Sequence, residues 1–476
     1  MCGIFGIRAP ERDNARLAYF GLHALQHRGQ ESAGIAVCDE GRLYGLRDMG
    51  LVTQVFNEQS LRGLQGQLAI GHCRYSTTGG SHWENSQPLI LRGRARTVAL
   101  AHNGNLTNVE ELRAELARQR VRLSTSSDSE IVAALIANDE RPLEEAIASA
   151  MSRLVGAYSI VALADSKLVA FRDPHGIRPL CFGRLDDDWV VASESCALDL
   201  VGAKLEREIE PGELVVIDDD GCRQIQAVEP AEHSALCIFE LFYLARPDSR
   251  LLDVEVHGAR VRMGEILAAE SPVEADLVMP IPDSGTPAAI GFSRGSGIPF
   301  SEGLIKNRYV GRTFIEPEQR LREQGVRLKF NPLDEVAGKR VVVVDDSIVR
   351  GSTTRKIVSM LFEAGATEVH VRISSPPVVF PCFYGIDFGD ADELIASKKS
   401  VEEVRRYIGA TSLAHLSLDG LQAASQRPRT DFCRACLDGE YPTPIPEGGK
   451  LIKLRLEKNV KSPFATAVKS PPATRP

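Results

Sequence analysis

Long hydrophobic runs are missing from this 476-residue sequence. Nowhere do the roughly 18 consecutive apolar residues of a membrane-spanning helix accumulate. Positive charge is not in excess either. Lys and Arg number 56 against 64 Asp and Glu, a net charge of −8, which argues against a general binder of nucleic acid or anionic membrane. Cysteine is sparse at ten residues, too few for a disulfide scaffold and better suited to reduced thiols or metal ligands in a cytoplasmic protein. The opening Met1-Cys-Gly-Ile-Phe-Gly-Ile-Arg8 lacks the basic start and apolar stretch of a signal peptide. What is present is 43% apolar and 25% charged residues, the balance of a folded soluble chain. The length allows two large cores.

Low complexity is confined to the end. Residues 448–476 hold seven Lys/Arg, one Glu and four Pro and read as a disordered basic tail. The first half reads as short strands with Gly-rich turns and two good helices, an α+β pattern. Thr97–His102 suggests a strand ending at Asn103-Gly104, a dipeptide that favours a tight turn. Asn108 with Glu111, and Ser127 with Glu130, carry the capping-box signature of helix starts. Tyr158–Ala164, Leu168–Arg172 and Glu213–Ile217 read as strands, the last of these closing the half. The second half changes rhythm. Asp276–Pro280 is a strand and loop, and Arg340–Val344 is a β-branched run suited to a buried parallel strand. A helix from about Thr353 to Gly365 and the strand Glu368–Ser374 complete a βαβ unit. The boundary falls near Ala231–Ser234, giving domains at 2–232 and 233–447.

Cys2 follows the initiator methionine directly. Removal of Met1 would leave a thiol and a free α-amine on one residue, and an amine with a reference pKa near 8 can serve as base for its own side chain. Downstream, in order, stand His27-Arg-Gly-Gln-Glu-Ser-Ala-Gly-Ile35, Gly71-His-Cys-Arg-Tyr-Ser-Thr77, His102-Asn-Gly-Asn105 and Ser126-Ser-Asp128. With Cys2–Ile7 these motifs resemble the glutaminase domain of the class II, N-terminal-nucleophile glutamine amidotransferases. The resemblance implies a four-layer αββα sandwich. It makes Cys2 the nucleophile and gives the Asn103 side chain and the Gly104 N–H to the oxyanion. Arg74 would take the glutamine α-carboxylate and Asp128 its α-ammonium.

The second strong signal is Val341-Val-Val-Val-Asp-Asp-Ser-Ile-Val-Arg-Gly-Ser-Thr-Thr354. A hydrophobic strand delivers two acids, and a small-residue loop then opens a helix whose N-terminus can hold a phosphate. There is neither a Walker lysine nor a G-x-G-x-x-G fingerprint. The run resembles the phosphoribosyl pyrophosphate (PRPP) motif of type I phosphoribosyltransferases, which implies an α/β domain with a parallel sheet. By that resemblance Asp345, Asp346, Ser347, Arg350, Gly351, Ser352 and Thr353 bind PRPP. Ser352 stands where the family usually has Thr. Pro282-Asp-Ser-Gly-Thr286 resembles the pyrophosphate loop, adding Asp283 and Ser284, with Ser284, Asp345 and Asp346 as Mg²⁺ ligands. Lys306–Thr313 and Arg320–Phe330 resemble the segment that closes over PRPP and excludes water.

Cys433-Arg-Ala-Cys436 is a lone C-x2-C pair, and residue type does not separate a four-thiolate zinc site from an iron–sulfur cluster. Cys237 and Cys382 complete a set that matches the [4Fe–4S] ligands of one branch of the glutamine PRPP amidotransferases. Cys38, Cys73, Cys181, Cys196 and Cys222 read as small core residues. A glutaminase followed by a PRPP site resembles that same family. Membership implies an enzyme of purine synthesis with glutamine and PRPP as substrates, ammonia passed between two sites, purine nucleotides as inhibitors, and a homotetramer or homodimer. It implies neither nucleic acid nor membrane as partner. Close iron–sulfur relatives often begin with a short propeptide, whereas Met1 alone precedes Cys2, so maturation is expected to need only its removal. Three readings compete: a sugar-phosphate aminating amidotransferase, a salvage phosphoribosyltransferase, and a PRPP-fold transcription regulator. The first would carry an isomerase domain instead of Asp345–Thr354, the second has no need of Cys2, and the third needs a basic domain.

Overall fold

The computed structural model describes residues 2–76, 80–307, 327–388 and 390–445. Up to Gln226 the chain forms two antiparallel sheets. Seven strands lie in the order Lys204–Glu208, Cys181–Leu185, Asp188–Ala192, Gly3–Arg8, Leu68–Arg74, Ser32–Asp39, Arg42–Met49. Six more lie in the order Gly221–Gln226, Glu213–Asp218, Lys167–Arg172, Gly156–Ala164, Thr97–Leu106, Leu89–Arg92. Alternation along each strand decides what faces what. From Gly3–Arg8, Ile4 joins Ile70, Ala101, Val161 and Val191 between the sheets. Phe5 and Ile7 point the other way, onto the helices Asn14–Ala24 and Ser195–Val201. The second sheet buries its outer face under Val109–Arg118, Asp128–Ala137 and Leu143–Met151. Helix, sheet, sheet and helix make the expected four layers.

Three local expectations change. The Thr97–Leu106 strand runs straight through Asn103-Gly104, because ladder pairing with Gly156–Ala164, Gly104 opposite Tyr158, overrides the turn preference of the dipeptide. Asn108 precedes its helix without capping it. Its amide instead accepts from the Val155 N–H and donates to the Arg153 carbonyl. Ser127 caps its helix by accepting from the Ser129 N–H, while Glu130 turns away to bind the Ser124 and Thr125 amides and hydroxyls. A further strand, Gly221–Gln226, follows Glu213–Asp218. It is a half-exposed edge with little apolar signal.

The second half is built on a four-stranded parallel sheet, ordered Leu277–Pro280, Arg340–Asp345, Glu368–Ile373, Ser412–His415. Both faces are covered: Val342 and Val344 pack one way, Val341 and Val343 the other. In such sheets ligands gather where strands stop at their C-terminal edge. Register places Pro280 beside Val344 there, so the segments after Pro280 and Asp345 emerge side by side. No helix among the described residues is long and apolar enough to cross a membrane.

Candidate active site

Cys2 sits at the start of the central Gly3–Arg8 strand, buried between the sheets. The pairing of Gly3 with Cys73 brings the Arg74 end of the neighbouring strand alongside it. The Cys2 nitrogen donates to Asn103 Oδ1 at 3.2 Å and the thiol to the Tyr75 carbonyl at 3.5 Å. That bond turns the Asn103 amide so that Nδ2 is buried with no partner among the described residues. A buried, unpaired donor beside a thiol is poised for a developing oxyanion. Gly104 follows at φ +156°, and a Cβ there would stand 2.0 Å from the Ala157 carbonyl oxygen, so no side chain fits. Arg74 is buried, with Nη1 donating to the Gly80 carbonyl and lying 3.6 Å from Glu31. Asp128 opens its helix and accepts from the Leu106 N–H at 3.1 Å, at the far end of the Asn103 strand. The structure thus gathers Cys2, Asn103, Gly104, Arg74 and Asp128 around the end of the sandwich. Thr77, Thr78 and Gly79 lie outside the described residues.

Other functional groups were not visible as such in the sequence. Glu31 holds the Ser76 N–H at 3.1 Å and its hydroxyl at 2.9 Å, fixing the segment after Arg74. Arg28 donates from Nε to the Cys2 carbonyl at 2.9 Å and pairs through its other nitrogens with Glu194 and Glu240. All three are fully buried. Burial opposes charge on Arg28, but Glu240 and Glu194 raise its pKa above the ordinary value. In turn His27 and Arg28 hold the Glu194 carboxyl well below the usual range despite its burial. Arg28 and Glu31 lie inside the His27–Ile35 motif, which was a usable signal. Glu194 and Glu240 carry none.

At the second site, Asp345 ends its strand and Asp346 follows, both buried. Ser284 and Ser347 donate hydroxyls to the two oxygens of Asp346, each at 2.5 Å. Burial, reinforced by the charge of Asp346, pushes the Asp345 carboxyl well above its usual range. Two adjacent buried carboxylates and a hydroxyl form an all-oxygen donor set that suits a hard divalent cation. The 12-residue helix Ser352–Glu363 starts after Gly351 (φ +72°) with no side chain capping it. Ser352 and Thr353 are exposed at that end. Arg350 pairs with Glu393 at 2.5 Å, and Asp283 with Lys306. Leu304–Lys306 pairs with Phe330–Pro332 at the base of the expected closing segment. Residues 308–326 of that segment lie outside the described residues, as does the tail beyond 445.

Cys237 and Cys433 stand opposite each other where Leu236–Cys237 pairs with Phe432–Cys433. Cys436 lies in the short helix Ala435–Asp438, and Cys382 opens a loop. All four are buried, 6–8% exposed, among Phe239, Phe383, Tyr384 and Leu437. Burial pushes the Cys237 thiol up to about 11, with the Cys382 charge adding to it. Burial also raises Cys433 and Cys436, whose thiols feel the charges of the others. A buried all-sulfur donor set fits a thiolate-held metal group. Among the described residues no three metal-capable side chains converge on one point as they stand.

Comparison with known proteins agrees with this geometry. The glutamine amidotransferase domain family matches residues 72–200. The amidophosphoribosyltransferase of Mycobacterium tuberculosis is 52% identical over 470 residues, spanning 96% of this chain and 89% of the relative. That of Bacillus subtilis is 49% identical over 451 residues, spanning 93% and 94%. Among solved structures, a glutamine PRPP amidotransferase from B. subtilis complexed with ADP and GMP superposes with a TM-score of 0.89. It has 47% identity and covers 95% of this chain and 99% of that one. The chain belongs to the amidophosphoribosyltransferase family.

Proposed function

We propose that the chain converts PRPP, glutamine and water to 5-phosphoribosylamine, glutamate and pyrophosphate, the first committed step of purine synthesis, in the cytoplasm. The two domains, 2–232 and 233–447, divide the work. With Met1 removed, the Cys2 α-amine takes the thiol proton and the thiolate attacks the glutamine side-chain carbonyl. Asn103 Nδ2 and the Gly104 N–H meet the resulting oxyanion, worth about 10²–10³ in rate for one such donor. Collapse breaks the C–N bond, the leaving nitrogen takes the proton, and ammonia departs from a γ-glutamyl thioester. Water then releases glutamate and regenerates the thiol. Arg74 and Asp128 orient the substrate by its α-carboxylate and α-ammonium.

In the second domain the open helix start at Ser352 and Thr353, with Ser347, Arg350 and Gly351, holds the ribose 5-phosphate. Asp283 and Ser284 sit by the pyrophosphate, and Asp345 and Asp346 by the ribose diol. Ser284, Asp345 and Asp346 would hold Mg²⁺, which would supply charge neutralisation for the departing pyrophosphate. Ammonia, delivered between the domains, attacks C1 of the ribose as the C1–O bond to pyrophosphate breaks. Cys237, Cys382, Cys433 and Cys436 would hold a [4Fe–4S] cluster, which would supply a structural clamp rather than redox chemistry. Purine nucleotides are proposed as inhibitors, as the ADP and GMP named for the B. subtilis structure suggest, acting on a homotetramer or homodimer.

The observation that carries the reading is the buried Asn103 Nδ2, without a partner among the described residues, on an amide whose Oδ1 holds the Cys2 nitrogen. PRPP-dependent glutamate release by mature protein, abolished in Cys2→Ala, tests it. No glutamate release at saturating PRPP would contradict it. Visible absorption of anaerobically purified protein with iron and zinc assays tests the cluster, which colourless protein with stoichiometric zinc would refute.

A further inference from the structure

The loop after Cys382 closes on itself, the Cys382 N–H donating to the Phe388 carbonyl at 3.1 Å. Inside that closure it meets the first half of the chain at four points. Asn105 Nδ2 donates to the Phe383 carbonyl at 2.8 Å. Arg178 donates to the Tyr384 carbonyl twice, from Nε at 2.8 Å and from Nη2 at 2.6 Å. Gly385 packs on Gly104 so closely that a Cβ on Gly385 would stand 3.4 Å from both the Gly104 carbonyl and Arg178 Nη2. The Tyr75 hydroxyl donates to Asp387 at 3.2 Å. Two contacts therefore fall on the strand of the proposed oxyanion hole. Another falls on Tyr75, the residue whose carbonyl receives the Cys2 thiol.

Arg178 is the centre of this arrangement. It is fully buried, close enough to Cys237 and Cys382 for their charges to act on it. Its Nη1 lies 3.5 Å from Glu240. Glu240 holds Arg28, and Arg28 holds the Cys2 carbonyl. A guanidinium presents its donors in a rigid fork, so the two bonds to Tyr384 fix the loop in orientation as well as position. None of these bonds reaches residues 283–284 or 345–353.

We propose that Arg178 is a positioning residue for the glutamine half-reaction. It pins the Phe383–Asp387 loop as the back wall of the oxyanion hole and so couples the geometry at Asn103 and Gly104 to the four-cysteine site. The inference rests on Cys2 being the glutamine nucleophile. Synthesis from glutamine persisting in Cys2→Ala would sink that assignment by itself.

The test compares wild type with Arg178→Lys, which keeps the charge and loses the fork. Displacing oxyanion donors by about 1 Å costs on the order of a hundredfold, so glutamine-dependent kcat should fall roughly ten- to a hundredfold with little change in the KM for glutamine. Ammonia-dependent synthesis should be retained. Amide hydrogen exchange should quicken in peptides spanning 99–106 and 382–388 and stay unchanged in 340–345. Stripping metal from the wild type with a chelator should quicken the same two peptides. Asn105→Ala, which cuts the loop from the other side, serves if Arg178→Lys yields no folded protein. An equal fall in both activities, an unchanged glutamine rate, or unaltered exchange would overturn the proposal.

Discussion

Cys2, Asn103 and Arg74 stand on or at the ends of strands locked into antiparallel ladders. Asp346, Ser284 and Ser347 stand on the connections where parallel strands have just stopped. The first arrangement spreads one site over a hundred residues of sequence and fixes each group through the register of its neighbours. The second takes most of its site from one contiguous turn between a strand and a helix. The sandwich site is accordingly buried and crowded, backed by buried ion pairs. The parallel-sheet site buries its two acids but opens its helix start, Ser352 and Thr353, to solvent.

The sharpest way to separate the two is Cys2→Ala. Glutamine-dependent synthesis should drop by a factor on the order of 10⁴ or more, while synthesis from added ammonia continues. Asp346→Asn should remove both together, by roughly 10²-fold or more, because the proposed Mg²⁺ would lose a charged ligand. Retention of the ammonia reaction there would erase the distinction between the halves. Asn103→Ala should cost about 10²–10³ in glutaminase kcat, with ammonia-dependent turnover measured alongside as the control.

The seam between the halves makes a stability prediction. Glu240→Gln deprives Arg28 and Arg178 of a fully buried carboxylate, and breaking such a pair typically costs about 3–5 kcal/mol. Urea unfolding should record that loss, and an unchanged midpoint would mean the seam bears little of the fold.

The last effect is felt only in acid. The neutral His72 ring donates from Nε2 to the His102 carbonyl at 3.1 Å, leaving Nδ1 buried without a partner among the described residues. Burial lowers its pKa to about 3 from the ordinary 6.5. Above pH 6.5 the ring is neutral folded or unfolded and the shift has no effect. As pH falls toward 3 only the unfolded chain takes up the proton, which destabilises the fold by up to about 1.4 kcal/mol per pH unit. His72→Gln, which keeps a donor for that carbonyl, should move the acid-unfolding midpoint to lower pH. A midpoint that stays put would acquit the histidine.

Legibility in the sequence followed the same divide. Val341–Thr354 could be read directly because strand, acids, loop and helix start are consecutive. The motifs around Cys2 were recognisable, yet Asn103-Gly104 suggested a turn where a strand passes, since no local rule weighs the ladder that holds it. Arg28 and Glu31 lay inside a motif without a visible role. Arg178, Glu194 and Glu240 had no signal at all. Their importance arises only when sheets, the Glu240 turn and the Cys382 loop are packed together, and an isolated Arg or Glu looks the same on a surface as in a core.

The claim that one half makes nitrogen for the other can be met head-on with isotopes. Glutamine labelled with ¹⁵N in its amide is supplied with PRPP in a modest excess of unlabelled ammonium, and the phosphoribosylamine is trapped and weighed. The account predicts product carrying almost wholly the glutamine label. Label diluted to the ratio of ammonia in bulk solution would contradict it.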